Sequence, residues 1–236
     1  MTCLVLTLAG PLQAWGSASR FTTRSTDDAP TRSGVIGLLA AAQGRRRTDP
    51  LEEYVDVRFG VRIDQPGRLL RDFQTAHTLD GKSMPLSMRY YRADARYLAV
   101  VSAPSALVEA LAEALRRPVF PLYLGRRSCP PAEPLVPQLV DATLGEALRD
   151  EEWRAAPWWR RRQGAEPAML EFRADKGSVP ELAVDAQMTV RDEPISFDPQ
   201  HRQYGWRTVD LGRVPVPGIS PRPSEDGLDH DAFEAV

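Results

Sequence analysis

The sequence is poor in the residues that metal sites, disulfide scaffolds and membrane spans require. It has two cysteines, Cys3 and Cys129, which are too far apart for a paired metal-ligand motif. We expect both to be reduced and buried, as free cysteines of cytosolic proteins usually are. No apolar run reaches the ~20 residues of a membrane helix, and the first residues lack the basic segment of a signal peptide. The composition therefore predicts a soluble cytoplasmic protein with no membrane partner, no metal and no other cofactor.

Lysine is scarce as well. Lys82 and Lys176 are the only lysines, so nearly all of the 30 basic side chains are arginine. Arginine can hold a phosphate with two hydrogen bonds and can stack on a base, which suits a nucleic-acid binder. Codon usage in a GC-rich genome produces the same bias, so the arginine excess alone leaves both explanations open.

The net charge of −2 conceals an uneven distribution. Residues 1–135 carry 18 basic and 13 acidic side chains, whereas the remainder carries 12 basic and 19 acidic ones. Five of those acids lie in the last 12 positions. The first part of the chain is therefore suited to meet phosphate, and the second part would repel it.

The hydrophobic pattern predicts an α+β fold whose first domain, residues 1–137, is ferredoxin-like. Its order is strand, helix, strand, inserted hairpin, strand, helix, strand, an arrangement shared by many RNA-recognition modules. The strands are predicted at 3–8, 55–63, 97–101 and 119–124, and the helices at 34–42 and between Pro104 and Pro118. Thr31 or Ser33 is the predicted N-cap of the first helix.

The inserted hairpin, residues 66–92, is predicted to project from the first domain, because Asp80-Gly81 is a turn signal between two alternating stretches. A proline-rich connector closes this domain at residue 137. A smaller β-rich domain is predicted over 138–219, with a helix at 144–153 and strands at 168–172, 182–190 and 204–211. Residues 220–236 form an acidic tail that we expect to be mobile.

The first candidate RNA-binding segment is the loop after the first strand, which leads into the first helix. It interleaves arginines with aromatic and hydroxyl residues, and it ends at the backbone N–H groups of a helix start. Single-stranded RNA is bound by this combination of phosphate ligands and flat stacking faces. The candidates are Gln13, Trp15, Gly16, Ser17, Arg20, Phe21, Arg24, Arg32, Ser33 and Gly34. The alternative is that Trp15 and Phe21 simply fill the core.

Two further segments carry candidate RNA ligands. A predicted strand ends in Gly125, Arg126, Arg127 and Ser128, a turn that allows close approach of a phosphate backbone. The alternative for this turn is a solvated pair of arginines. The inserted hairpin contributes Arg71, His77, Lys82, Arg89 and Tyr90, and its alternative is an ordinary hairpin with a charged surface.

Catalysis has little support in the sequence. A metal-free ribonuclease needs a general base, a general acid and a cation around the ribose 2′-hydroxyl, which His77, Lys82 and Tyr90 can supply in principle. The sequence has no Gly-x-Ser-x-Gly and no His-Glu-x-x-His motif. A non-catalytic RNA-binding role is therefore favoured. A processing ribonuclease, and a scaffold or regulator that never touches RNA, are the alternatives.

The same segments resemble the Cas5 family, in the branch that belongs to type I-E CRISPR Cascade. The segments that carry the resemblance, in order along the chain, are GPLQAWG at 10–16, RFTTR at 20–24, PTRSG at 30–34, DFQTA at 72–76, RYYRAD at 89–94, GRRSCPP at 125–131 and PISFD at 194–198. Each fragment alone is weak, whereas the ordered set is specific. The resemblance extends from the first strand to about Leu211.

The resemblance implies a RAMP-type ferredoxin-like domain with a protruding hairpin, the thumb, and a second β-rich domain. Members of this branch hold the five-prime handle of the guide RNA (crRNA) and contact the backbone filament subunit. They also help to seat the large subunit that inspects target DNA. The chain would line the handle groove with the loop 13–24, the helix start at 32–34 and the turn 125–128, and it would meet target DNA only through the complex.

The resemblance also implies that the chain is not an enzyme, because another subunit of type I-E systems cleaves the precursor RNA. The related type I-C branch does cut the precursor, with a tyrosine, a lysine and a histidine. Here no lysine precedes Lys82 and no histidine precedes His77. An active centre of the type I-C kind on the first helix is therefore not expected.

Overall fold

The computed structural model describes residues 2–16, 23–163 and 169–215. The strands are β1 (Thr2–Ala9), β2 (Leu12–Gln13), β3 (Thr23–Arg24), β4 (Arg58–Gln65), β5 (Arg68–Gln74), β6 (Ser87–Ala93), β7 (Arg96–Ser102), β8 (Gln138–Asp141), β9 (Met169–Asp175), β10 (Ala186–Ser196) and β11 (Gln203–Pro215). The helices are α1 (Arg32–Ala42), α2 (Ser105–Arg116), α3 (Leu144–Asp150) and α4 (Pro157–Gln163). Within these ranges, no helix is long and apolar enough to cross a membrane.

A seven-stranded sheet in the order β10-β11-β9-β4-β7-β1-β8 forms the centre of the fold. All of its neighbouring strands are antiparallel. Along β1, Leu4 and Leu6 pack in a cluster with α1 and α2, whereas Cys3 and Val5 pack with α3. Because side chains alternate across a strand, helices cover both faces of the sheet at β1.

A second sheet is built around β6. β2 and β5 pair with β6 in antiparallel fashion, and β3 pairs with it in parallel. The β5–β6 pair runs from Arg68 opposite Ala93 to Gln74 opposite Ser87. Beyond it, an isolated bridge joins His77 and Ser83, and Gly81 has a φ of +83° in the turn. The Asp80-Gly81 turn signal is therefore confirmed.

Several predicted elements are confirmed, with shifted ends. β1, α1, β7 and α2 lie where the pattern placed them, and Thr31 rather than Ser33 caps α1. β4 begins at residue 58 rather than 55, because a 3₁₀ turn at Glu52–Tyr54 precedes it and leaves Val55 exposed. α3 ends three residues before the predicted end at Trp153, and α4 was not predicted.

The strand predicted at 119–124 is wrong. The N–H groups of Val119 and Phe120 donate to the carbonyls of Ala42 and Ala41 at the end of α1, so this segment binds a helix terminus instead of joining the sheet. On the side of β1 away from β7, the neighbouring strand is β8, which follows the proline-rich connector. A short apolar run fits either placement, and periodicity alone does not distinguish them.

A buried arginine joins β4 to the end of α3. The side chain of Arg62 is fully buried and pairs with Asp64, with 2.7 Å between Nε and Oδ1. It also donates to the carbonyl groups of Leu148, Glu151 and Glu152. The last carbonyls of a helix lack partners within the helix, so Arg62 supplies the hydrogen bonds that the end of α3 needs.

We expect Thr143→Ala to lower the free energy of unfolding by about 1 kcal/mol. The Thr143 hydroxyl accepts from the Glu146 N–H at 3.1 Å, and the Glu146 carboxylate accepts from the Thr143 N–H at 2.8 Å. This reciprocal capping box satisfies two N–H groups at the start of α3. Urea denaturation measures the loss. Thr143→Ser keeps the hydroxyl and should restore most of it; equal losses in both variants would contradict the capping role.

Candidate nucleic-acid interface

Strand β6 brings the three predicted RNA-binding segments together. Gln13 in β2 lies opposite Arg92, and Arg24 in β3 lies opposite Arg89. The hairpin strand β5 pairs along the other edge of β6. The turn at 125–128 joins them through the N–H of Ala14, which donates to the Leu124 carbonyl at 3.1 Å. Segments more than 100 residues apart in the sequence thus form one surface.

Arg126 holds this surface together from within. Its guanidinium donates to the carbonyls of Tyr90 at 3.0 Å, Arg24 at 2.7 Å and Ser25 at 3.0 Å. It also lies over the buried ring of Tyr91, 4.9 Å from the ring centre, as a cation–π pair. Because these donors are used inside the protein, Arg126 fixes the positions of β3 and β6 relative to the turn.

Gly125 permits the turn to approach the first loop. Its φ is +87°, a conformation that residues with a side chain rarely adopt. A Cβ atom at this position would lie 1.9 Å from the carbonyl oxygen of Ala14. The close approach of the two segments therefore requires glycine.

Many of the candidate residues on these segments are exposed to solvent. The exposed candidates are Gly16, Arg24, Arg71, His77, Lys82, Gly125, Arg127 and Ser128, and the half-buried ones are Arg89, Tyr90 and Arg126. Arg24 pairs with Arg89 and Arg71 pairs with Tyr90, so Arg71 leaves the sheet on the opposite face from Arg24. We define the β6 surface as Gly16, Arg24, Arg127 and Ser128. It combines two exposed guanidinium groups with a hydroxyl and an open glycine backbone, which are ligands for phosphate oxygens.

Gln13 and Trp15 support this surface from beneath. Both side chains are buried, and the Trp15 indole N–H donates to the Gln13 carbonyl oxygen at 2.9 Å. The Gln13 amide group donates to the carbonyls of Leu8 and Ala95. With their polar atoms satisfied in the core, these two side chains present no face to a ligand. The buried ring of Trp15 agrees with the alternative that this side chain fills the core, and not with the predicted stacking on a base. Its role is to position the first loop and the start of α1, which packs on its ring.

Arg32 also lies inside the protein. Its guanidinium donates to the Val57 carbonyl at 2.6 Å and pairs with Asp175 at 2.8 Å. Asp192 accepts from the backbone N–H of Arg32 at 2.7 Å, and Arg207 pairs with both Asp175 and Asp192. A carboxylate thus already occupies the start of α1. Arg32 joins α1 to β9 and β10, and its donors are not free for a phosphate.

The other candidate residues at the start of α1 also contribute to capping and packing of the helix. The Thr31 hydroxyl accepts from the Gly34 N–H at 3.2 Å. A Cβ on Gly34 would lie 2.8 Å from the Trp15 ring, so glycine lets the helix pack on this indole. Ser33 is half-buried. The remaining candidates Ser17, Arg20 and Phe21 lie outside the described residues.

Three ionisable groups near the β6 surface have pKa values that their surroundings shift away from the usual values. Burial raises the pKa of the Cys129 thiol, so this thiol stays protonated near neutral pH. Burial opposes ionisation of Asp28, but the hydrogen bond and charge of Arg173 outweigh it and hold the pKa of Asp28 below its usual value. Burial also raises the pKa of Tyr97, whose hydroxyl donates to the Asp28 carbonyl.

The three residues considered for catalysis are spread along the hairpin. Tyr90 lies opposite Arg71, midway along the β5–β6 ladder, whereas His77 lies six positions beyond Arg71, on the order of 20 Å in extended chain. Lys82 lies beyond His77, where its N–H and carbonyl bind Thr78. In the part of the chain that the structure describes, no three His, Cys, Asp or Glu side chains are placed to hold a metal ion.

Comparisons with known proteins agree on one family. A sequence model of the family described as CRISPR-associated protein (Cas_Cas5) matches residues 3–210. The CRISPR system Cascade subunit CasD of Escherichia coli (strain K12) is 37% identical over 155 residues, which are 56% of this chain and 68% of that protein.

Solved structures agree with the sequence comparison. A chain described as a CRISPR RNA-guided surveillance complex superposes with a TM-score of 0.72 at 32% identity, covering 95% of each chain. A crystal structure of a Cas protein superposes with a TM-score of 0.69 at 34% identity, covering 93% of this chain and 100% of the other. The likeness therefore includes both sequence and fold over nearly the whole length.

Proposed function

Because the chain belongs to the Cas5 family of CRISPR-associated proteins, we propose that it is an RNA-binding subunit of a type I-E Cascade surveillance complex. It caps the five-prime handle of the crRNA and contacts the backbone filament subunit and the large subunit. Target DNA meets it only through the assembled complex. This is a role in antiviral defence, and we place it in the cytoplasm.

One observation carries the handle-binding role: exposed cations of two segments that are far apart in the sequence meet beside β6. Arg24 pairs with Arg89 of β6, and the Arg126 guanidinium donates to the carbonyls of both Arg24 and Tyr90. Arg127 follows directly after the residue that bonds to β3 and β6. Guanidinium groups at these places suit the successive phosphates of one RNA strand.

The architecture supports an assignment of the first part of the chain to the ferredoxin-like class. The central order β4-β7-β1-β8, with α1 and α2 packed in the same core cluster, matches that topology. We assign the β5–β6 hairpin as the thumb. The domain boundary at residue 137 stays a prediction, although β8, which this topology includes, follows it. The acidic tail, 220–236, lies outside the described residues.

We also propose that the chain has no catalytic activity. His77 and Tyr90 are far apart along the hairpin, so a base and an acid do not meet around one ribose. The Cys129 thiol is buried and protonated, and is therefore a poor nucleophile. Processing of the precursor RNA, as in type I-C systems, remains the alternative that the experiment must distinguish.

The experiment is a binding titration of the purified full chain with crRNA that carries its native five-prime handle. A crRNA with a scrambled handle is the comparison, and a denaturing gel shows whether either RNA is cut. We expect tighter binding of the native handle with the RNA left intact. Site-specific products would assign the processing role instead. Equal affinity for both RNAs would contradict recognition of the handle.

We expect the double variant Arg24→Ala/Arg127→Ala to bind handle RNA at least about tenfold more weakly. Loss of two phosphate contacts should also lower the slope of log affinity against log salt by about 1.4. The matched control is Arg149→Ala, which removes an exposed arginine that pairs with Asp150 on α3. An affinity and a salt slope equal to those of Arg149→Ala would show that the β6 surface does not hold the RNA backbone.

A further inference from the structure

Helix α4 carries aromatic and cationic side chains that the fold uses only in part. Its seven residues are Pro-Trp-Trp-Arg-Arg-Arg-Gln, with three arginines and no acid. Pro157 stands at the first position, where its lack of an N–H costs nothing. In a chain with only five tryptophans, two adjacent ones lie here.

One side of α4 packs against the protein. Trp159 contacts a small core cluster of Trp153, Ala155 and Leu170. Arg160 lies 3.6 Å from a carboxylate oxygen of Glu152. These two residues attach the inner side of the helix to the protein.

The other side of α4 faces solvent. Trp158, Arg161 and Arg162 are spaced i, i+3 and i+4, so they share one helical face. All three are exposed, and Trp158 retains 45% of its accessible surface. In the described ranges, no ion pair involves Arg161 or Arg162. The Trp158 ring meets the Trp159 ring edge-on at 5.6 Å, so a partly buried indole backs the exposed one.

The chemistry of this face selects its partner. Two guanidinium groups favour an anion, and an exposed indole held in place by its neighbour offers a flat surface for stacking. The carboxylates of an acidic peptide would pair with the arginines but would not stack on the ring. A single-stranded nucleic acid uses both, because every nucleotide has a phosphate and a base.

We propose that the outer face of α4, formed by Trp158, Arg161 and Arg162, is a second binding site for single-stranded nucleic acid. A base stacks on Trp158 while Arg161 and Arg162 bind the adjoining phosphates. The site is distinct from the β6 surface and does not depend on recognition of the handle.

The attachment of α4 places this site beside the hairpin base. The Gln65 side chain accepts from the Ala156 N–H at 3.0 Å and donates to the Asp94 carbonyl at 2.6 Å. Gln65 ends β4 just before β5, and Asp94 directly follows β6. One side chain therefore links the start of α4 to the chain segments that enter and leave the hairpin, so α4 lies beside the base of the hairpin.

The test uses the full chain and a labelled oligothymidine of about 20 nucleotides, which has no handle and no base-paired structure. Fluorescence anisotropy gives its affinity at several salt concentrations. Trp158→Ala should weaken binding roughly 5- to 150-fold, the loss expected for one stacked base. Arg161→Ala/Arg162→Ala should weaken binding and lower the salt slope by about 1.4.

Two matched variants control for general effects. Trp206→Ala removes another exposed tryptophan, on β11, and Arg149→Ala removes another exposed arginine. Both should bind like the unmodified chain, and circular dichroism should show all variants folded. The proposal is overturned if the unmodified chain does not bind oligothymidine, or if the α4 variants bind no worse than these controls.

The experiments can refute either binding site without refuting the other. If Arg24→Ala/Arg127→Ala weakens oligothymidine binding and the α4 variants do not, the second site is refuted while the β6 surface stands. If the chain does not distinguish native from scrambled handles, but the α4 variants still lose oligothymidine, handle recognition is refuted while the second site stands.

Discussion

Arg62→Ala should lower the free energy of unfolding by about 3–5 kcal/mol, the cost typical of breaking a buried ion pair from one side. Among the described residues, the change leaves the buried Asp64 carboxylate with only the Arg154 N–H as a hydrogen-bond donor to its side chain. It also removes the donors that satisfy the carbonyls of Leu148, Glu151 and Glu152. For a chain of this size, the melting temperature should fall by roughly 6–20 °C.

Differential scanning calorimetry measures this loss of stability, and two further variants show its cause. Arg149→Ala breaks an exposed pair with Asp150 and should leave the stability almost unchanged, because solvent screens such a pair. Arg62→Leu/Asp64→Leu removes both charges and should cost less than Arg62→Ala, because no unpaired charge remains. If the double variant is the less stable one, the unpaired carboxylate is not the cause of the loss.

Gly125→Ala should weaken binding of handle RNA at least about tenfold. The new methyl group would lie 1.9 Å from the Ala14 carbonyl oxygen, so the turn must move away from the first loop. That movement displaces Arg126 from the carbonyls of Arg24 and Tyr90 and moves Arg127 with it. A shift of about an ångström is enough to lose well-formed charge-assisted hydrogen bonds.

The control for this variant is Gly177→Ala. Gly177 has a φ of +71°, so alanine there carries similar backbone strain, but nothing lies within 4 Å of the added methyl group. Both variants should lose about 1–2 kcal/mol of stability from the left-handed conformation. Only Gly125→Ala should also lose RNA affinity in the titration. Equal affinities for the two variants would show that the turn position is unimportant for binding.

The periodic elements could be predicted from the sequence because local burial determines them. β1 and β7 are continuous apolar strands, and α2 has a clear helical period between two prolines. The segment at 119–124 could not be placed this way. Its partner is the end of α1, about 80 residues earlier, and no local pattern records that contact.

The candidate site was predictable in composition but not in orientation. The segments that meet at β6 were identified by their arginine, glycine and aromatic content. That content does not say which side chains turn inward, and Gln13, Trp15 and Arg32 do so.

The buried ion pairs were missed, because the main partners of Arg32 lie beyond residue 170. For Arg62 a local signal existed: Asp64 carries the opposite charge two residues along one strand, hence on the same face.

The pairing of β4 with β9 has a mechanical consequence. Gly60, Val61 and Arg62 are in register with Ala174, Arg173 and Phe172, so the main chains of the early and late parts of the protein are hydrogen-bonded edge to edge. Bending the molecule along this seam would break that ladder and the Arg32–Asp175 and Arg173–Asp28 pairs together. When an assembly around this subunit changes shape, we therefore expect the two parts of the chain to move together as one rigid body. The contacts with neighbouring subunits should change instead.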